Sequence, residues 1–163
     1  LVMRRDQAER LNIHSIADLA SHAGTMSIAG DYEIFSRPEW AGLQKVYGLK
    51  FRQQRQMQPD FMYAAVASGE VDVIAGYTSD GLIAKYGLTV LDDPKHAIPP
   101  YDAIVLLAPR RANDEKLRAA LQPLLGKINI ATMREANLRA SGNDAGSSPT
   151  AVARWLWDKI GKK

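Results

Sequence analysis

The sequence predicts an α/β fold: a mixed, mainly parallel sheet of about five strands with helices on both faces, followed by a helical C-terminal segment. Three observations carry that expectation. Short apolar runs of strand length alternate with helix-period stretches down to about residue 100, the pattern of βαβ units. Proline or a capping residue opens most of those helical stretches and glycine closes them. Past residue 110 the alternation stops, and helical stretches follow one another with no strand between them.

Taken in order, Val2 and Met3 form the end of a short strand, and the charged residues after them read as a turn. Ser15 and Asp18 match a capping box for a helix over residues 16–22, stopped by Gly24. "TMSIAG" is a strand ending in Gly30, with "DYEIFSR" as the loop beyond it. Pro38 suits the first turn of a helix that places Trp40, Leu43, Val46 and Tyr47 at helical spacing up to Gly48. "KFRQQRQM" alternates as a strand with one wet face. Pro59 opens a helix whose apolar stripe is Phe61, Met62, Ala65 and Val66. "VDVIAGY" is a strand, Asp80 a candidate N-cap for a short helix over 81–86, and "LTVLDD" another strand.

"IPPYDAIVLLAPRR" gives a proline pair, a tyrosine and a strongly apolar strand. Three helices then follow, over "NDEKLRAALQPLLGK", "NIATMREANLRAS" and "SSPTAVARWLWDKIGK". Asn113 or Asp114 caps the first and Gly126 closes it, while the last puts Val152, Trp155, Leu156 and Ile160 on one face. "SGNDAGSSP" between the second and third is a polar loop.

The length of 163 residues suits one large domain or two small lobes. With 46% hydrophobic and 24% charged residues, the chain has material for a core and does not have the composition of a disordered tail. No apolar run approaches the roughly 18 residues of a membrane-spanning helix. The first residue is Leu1, and the sequence from there reads as a strand end, so the chain is expected to be a piece of a longer protein or a processed form. Cysteine is absent, which excludes disulfides and thiolate metal sites without fixing the compartment. The net charge is +3, but no basic run exceeds Arg4–Arg5, Arg110–Arg111 or Lys162–Lys163, the distribution of a solvated surface.

Catalytic constellations are poor. His14, His22 and His96 have no nucleophile placed beside them, and His14 and His22 flank a helix too far apart for a metal pair. Asp92 and Asp93 are neighbours on a strand and point to opposite faces, so a turn or capping role suits them. No enzyme, metal or cofactor is implied. The better signals lie where parallel strands end, because ligands of open α/β sheets bind there. These ends offer Arg37, Tyr77, Thr78 and Tyr101, with Tyr32 and Trp40 near in sequence. Aromatic faces attract quaternary ammonium, and an arginine fork matches a carboxylate. The set would suit a zwitterion carrying both groups. Equally, Tyr77 and Tyr101 could pack at strand ends, and Arg37 could pair with Glu39 or Asp31. A nucleic-acid-binding module using "KFRQQRQ" and Arg110–Arg111 is the alternative reading.

At these residues the chain resembles the substrate-binding proteins of osmoprotectant ABC importers, which take up glycine betaine, carnitine, choline or proline betaine. The matching text is "AERLNIHSIADLA", "YEIFSRPEWAGLQKVYGL", "MYAAVASGEVDVIAGYTSDGLIAKYGLTVLDDPKHAIPPYDAIVL" and "LQPLLGKINIATMREAN", in one order over almost the whole chain. The resemblance implies a type II periplasmic-binding-protein-like lobe at residues 1–98. Residues 99–163 would be the crossover strand and C-terminal helices of the first lobe, whose N-terminal part lies outside this chain. Arg37 would bind the ligand carboxylate, Tyr77 and Tyr101 would form walls of an aromatic box, and Thr78 would add a polar contact. The strand before Tyr77 would then stop where it does to aim that ring into a cleft between lobes. The implied partners are a betaine-type ligand and the permease subunits of an ABC importer, in a periplasmic or other extracytoplasmic setting. Pairing of copies through the C-terminal helices is a further expectation, since those helices would lack the sheet they pack on. "RPEW" carries Trp40 where many relatives have glycine, which bears on pocket size and so on the choice of ligand.

Overall fold

Alternating side chains on each strand divide the core between the two faces of one sheet. A computed structural model describes residues 1–142 and 144–161. Its strands are β1 (Val2–Arg4), β2 (Ser27–Gly30), β3 (Gln53–Gln56), β4 (Val73–Ile74) and β5 (Leu88–Val90). They form one five-stranded sheet in the order β3-β2-β4-β1-β5. β2 runs parallel to both β3 and β4, whereas β1 lies antiparallel between β4 and β5. The sheet is therefore mixed, as the sequence predicts, but with two parallel and two antiparallel pairings it is not mainly parallel, because β1 runs against both of its neighbours.

Met3, Ile28 and Val73 point to one face, where they join Ile13, Ile16, Leu19, Trp40, Leu43 and Leu49. Their immediate neighbours Val2, Ala29 and Ile74 point to the other and join Met62, Tyr63, Val66 and Ile83. A period of two in the strands thus builds two apolar layers from one set of runs.

The helices between strands are α1 (Arg5–Leu11), α2 (Ile16–Ala20), α3 (Pro38–Tyr47), α4 (Pro59–Ser68) and α5 (Leu82–Lys85). α1 corrects the expected charged turn. Its Arg5, Asp6, Glu9 and Arg10 are exposed while Gln7 and Ala8 are buried, so the charges are one wet face of a helix. α2 carries the expected capping box, with Asp18 N–H donating to Ser15 Oγ and Ser15 N–H donating to the Asp18 carboxylate. Pro38 and Pro59 each occupy the first turn of their helix, and Gly48 and Gly69 close them in the left-handed conformation.

Asp72, just before β4, ties the sheet to α1. Its carboxylate accepts from Gln7 Nε2 at 2.9 Å and from the Ser27 N–H and hydroxyl at 2.8 and 2.9 Å. Burial pushes its pKa up, but the Ser27 and Gln7 hydrogen bonds outweigh burial and leave it below the usual carboxylate value.

The expected strand within "AIVLLAPRR" does not form. No regular structure occurs from residue 99 to 108, and Ile104, Val105 and Leu106 are exposed. An extended run becomes a strand only where another strand takes up its N–H and C=O groups. Among the described residues no strand pairs with this one.

Beyond it lie α6 (Glu115–Leu121), α7 (Ile130–Ala140) and α8 (Pro149–Gly161), matching the three expected helices. Asp114 and Asn129 cap α6 and α7 by accepting from Leu117 N–H and Thr132 N–H. α8 packs on α7, where Arg139 lies 4.2 Å and Lys159 4.8 Å from the Trp155 ring centre. Asn143 of the expected polar loop and the basic pair Lys162–Lys163 lie outside the described residues.

Candidate functional site

Parallel strands β2 and β4 are neighbours, and each runs directly into a segment that carries candidate ligand groups. β2 ends at Gly30, where a Cβ would come within 2.2 Å of Ile34 Cγ2, so only glycine lets the chain fold back so tightly. The Asp31 carboxylate then accepts from the Glu33 and Ile34 N–H groups at 3.0 and 2.8 Å, fixing the turn. One short helical turn (Ile34–Ser36) later, Arg37 occupies the position before Pro38 of α3.

The Arg37 guanidinium pairs with Glu33, rather than with Glu39 or Asp31 as the residue spacing allowed. The Glu33 hydrogen bond and charge raise its pKa further above its ordinary value, and Tyr77 is close enough to add to that shift.

The second segment is residues 76–81. At Gly76 the chain passes close to α4, since a Cβ there would meet the Tyr63 hydroxyl at 2.7 Å. Tyr77 follows with its side chain half exposed, and the chain turns as Asp80 N–H donates to Tyr77 O at 3.0 Å. Asp80 Oδ1 accepts from Leu82 N–H at 2.9 Å and so starts α5, the capping role its position predicts. The Tyr63 hydroxyl is buried beneath this loop, beside the Asp80 carboxylate. Burial first, and that negative charge second, push the phenol well above its ordinary pKa.

α7 closes the loop from the other side. Arg134 Nε donates to Thr78 O at 2.6 Å, and Asn137 Nδ2 donates to Ser79 O at 2.8 Å. Tyr77, Ser79 and Asp80 of the loop, with Asn137, Ala140 and Ser141 of α7, line a shallow hollow of about 410 Å³. Arg134 and Asn137 are absent from the candidates drawn from the sequence. They lie 56 and 58 residues from the carbonyls they hold, and no local pattern links such positions.

The remaining candidates divide. Thr78 is exposed next to Tyr77. Tyr32 is exposed on the Arg37 side, and its carbonyl accepts from Gln56 Nε2 at 3.0 Å. Tyr101 is 76% exposed in the segment without regular structure. Among the described residues no hydrogen bond or aromatic contact joins it to Arg37 or Tyr77. Trp40 is 3% exposed, with Phe35 edge-on at 5.0 Å and Phe51 stacked at 6.1 Å. It is a core residue of α3 and does not face the hollow. Asp93 serves as a loop anchor, accepting from Ala97 N–H at 3.1 Å, Ile98 N–H at 2.8 Å and the Tyr47 hydroxyl.

Of the basic residues considered for nucleic acid, Arg55 pairs with Glu70 at 2.7 Å and Arg111 with Asp114 at 2.8 Å, so acids within the chain already neutralise part of that charge. Among the described residues no cluster of histidine and carboxylate could hold a metal ion, and no helix is long and apolar enough to cross a membrane.

A mixed sheet with its polar and aromatic groups at neighbouring parallel strand ends is the arrangement of a ligand-binding α/β domain. The chain belongs to the family described as the substrate binding domain of ABC-type glycine betaine transport systems, whose model matches residues 1–159. It is 30% identical to the carnitine transport binding protein OpuCC of Listeria monocytogenes, over 97% of this chain and 52% of that protein. It is 32% identical to the glycine-betaine-binding protein of Pseudomonas aeruginosa, over 85% of this chain and 49% of that protein. Among solved structures, that of a glycine betaine/carnitine/choline ABC transporter superposes on 98% of this chain and 59% of its own, with a TM-score of 0.86 and 30% identity. The chain spans about half the length of the curated relatives it matches.

Proposed function

We propose that this chain binds a quaternary-ammonium compatible solute, such as glycine betaine, carnitine, choline or proline betaine, and takes part in its delivery to the permease of an ABC importer outside the cytoplasm. The observation that carries this reading is that the neighbouring parallel strands β2 and β4 run into the segments bearing Arg37 and Tyr77, with Tyr77 half exposed at the edge of a hollow. The Tyr77 face would take the trimethylammonium, whose charge is spread over methyl groups and is cheap to desolvate. Arg37 would exchange Glu33 for the ligand carboxylate. A half-exposed ion pair is worth little in water, so that exchange costs little. Thr78 adds a hydroxyl next to Tyr77, and Tyr32 an exposed ring five residues before Arg37. The ligand itself is not converted.

The same reading assigns residues 1–98 to one lobe and residues 99–163 to the returning part of another. Its support is that the apolar stretch around Ile104–Leu106 is exposed and has strand composition with no strand partner among the described residues. Tyr101 would then join the box only when that stretch is seated, which accounts for its exposure here. Self-association over the same stretch and the exposed Trp157 of α8 would appear as a dimer mass in light scattering.

Calorimetric titration with glycine betaine, carnitine and choline tests the binding. Tyr77→Ala is expected to weaken affinity roughly 2–30-fold, the value of one cation–aromatic contact, while Tyr77→Phe keeps most of it. Arg37→Ala should weaken glycine betaine more than choline, because choline has no carboxylate. Affinity that ignores both positions would remove the basis of the proposal.

A further inference from the structure

The loop that carries Tyr77 is held between two parts of the chain that lie far apart in sequence. Beneath it is the Tyr63 hydroxyl of α4, in contact range of where a Gly76 Cβ would stand. Above it is α7, whose Arg134 and Asn137 are three residues apart and therefore on one face of the helix. Both donate to backbone carbonyls, of Thr78 and Ser79, and not to side chains. The approach is close as well. A Cβ on Gly81 would lie 2.4 Å from the backbone nitrogen of Leu138, so the loop and the helix meet backbone to backbone.

We propose that Arg134 and Asn137 are positioning residues that clamp the 77–81 loop and hold Tyr77 in its binding orientation. This rests on the assignment of Tyr77 to the ligand site. A carbonyl gripped from outside cannot rotate inward without losing its partner, so the peptide planes on either side of Ser79 are fixed. With them is fixed the direction in which the Tyr77 ring leaves the strand. Arg134 contributes charge as well as geometry, since its positive charge offsets part of the rise that burial and the Asp80 carboxylate impose on the Tyr63 hydroxyl. Were the clamp absent, the ring would sample several directions, and the ligand would have to order it on binding.

α7 also bears residues that face elsewhere, and these provide the control. Glu135 holds Arg139 at 3.0 Å and Lys159 at 2.8 Å, linking α7 to α8 without touching the loop. The test compares Arg134→Ala/Asn137→Ala, Arg134→Lys and Glu135→Gln in the full chain. The first measurement needs no ligand: amide hydrogen exchange at Asp80 and Leu82, whose N–H groups donate to Tyr77 O and the Asp80 carboxylate. The double variant should exchange about tenfold faster there, the value of a lost charge-assisted hydrogen bond, with no change in β2 or β4.

Arg134→Lys, which keeps a donor, should recover part of the protection, and Glu135→Gln should leave both amides as they are. Glycine betaine affinity should fall about tenfold in the double variant and not in Glu135→Gln. Gly81→Ala, which forces loop and helix apart by sterics alone, should reproduce the double variant in both measurements. Unchanged exchange at Asp80 and Leu82 in the double variant overturns the clamp, as does an equal change in Glu135→Gln. If the parent chain binds no quaternary amine, the ligand assignment fails by itself, and the exchange experiment still decides whether the clamp exists.

Discussion

Residues 1–98 and residues 99–161 have similar materials and opposite outcomes. Both contain runs of valine, isoleucine and leucine, and both contain amphipathic helices. In the first region those residues form two buried layers on a five-stranded sheet. In the second, Ala136 and Val152 are the only buried apolar residues among those described, and Leu106 is 83% exposed. The difference shows that apolar composition supplies the demand for burial, while a partner surface meets it. "SIAG" and "AIVLLA" read alike as strands, but β2 has β3 and β4 on its two sides and the later run has neither.

The sharpest way to break that comparison is to cut the core where it is continuous. Ile28→Ala removes a fully buried side chain from the central parallel strand, and should cost about 2–5 kcal/mol in denaturant unfolding. A loss as small as that of a surface substitution would mean the two layers are not the structural unit they resemble.

A smaller effect is expected at the polar tie between β2, β4 and α1. Asp72→Ala leaves the Ser27 N–H and the Gln7 amide without their acceptor, at a cost of about 1–3 kcal/mol. The same tie makes the first region acid-sensitive. Because the Asp72 pKa is depressed in the folded state, its contribution is complete above the ordinary value of 3.8 and is lost as pH falls below that toward the folded value. Melting temperature measured from pH 6 down to pH 2.5 should drop less steeply in Asp72→Asn than in the parent, and parallel curves would exclude this acid as a source.

The smallest effect belongs to the second region. Leu106→Ala should change stability by no more than about 0.5 kcal/mol, because the side chain is already in water. A loss of 2 kcal/mol or more, a value far outside the surface range, would show that the stretch has found cover in solution.

Legibility followed the range of the interaction. The capping box at Ser15 and Asp18, the prolines opening α3 and α4, and the Asp114 cap of α6 act within four residues and are visible in the sequence. α1 was misread because its charges outnumber its inward residues over barely two turns, and only the burial of Gln7 and Ala8 shows which face matters. For the site, strand-end logic brings forward Arg37 and Tyr77, which follow the neighbouring parallel strands β2 and β4, although only Tyr77 lines the hollow. It brings forward Trp40 as well, which the fold turns inward against Phe35 and Phe51. A ten-residue helix has both a wet and a buried side, and sequence proximity to Arg37 says nothing about which one a residue occupies.

What the sequence determined by itself is the order of elements from α2 to β5 and of the three C-terminal helices, most of their ends, and the residue types available at each strand terminus. These depend on local sterics, on capping and on hydrophobic period, all of which act along the chain. What only the tertiary structure decided is the company those residues keep. It set Arg37 on Glu33, packed Trp40 into the core, pinned the Tyr77 loop under α7, and left the 101–106 run unpaired. The grip of α7 on the loop depends on surfaces that meet across 56 and 58 residues of chain, and the free energy of that meeting resides in the contact and not in either segment alone.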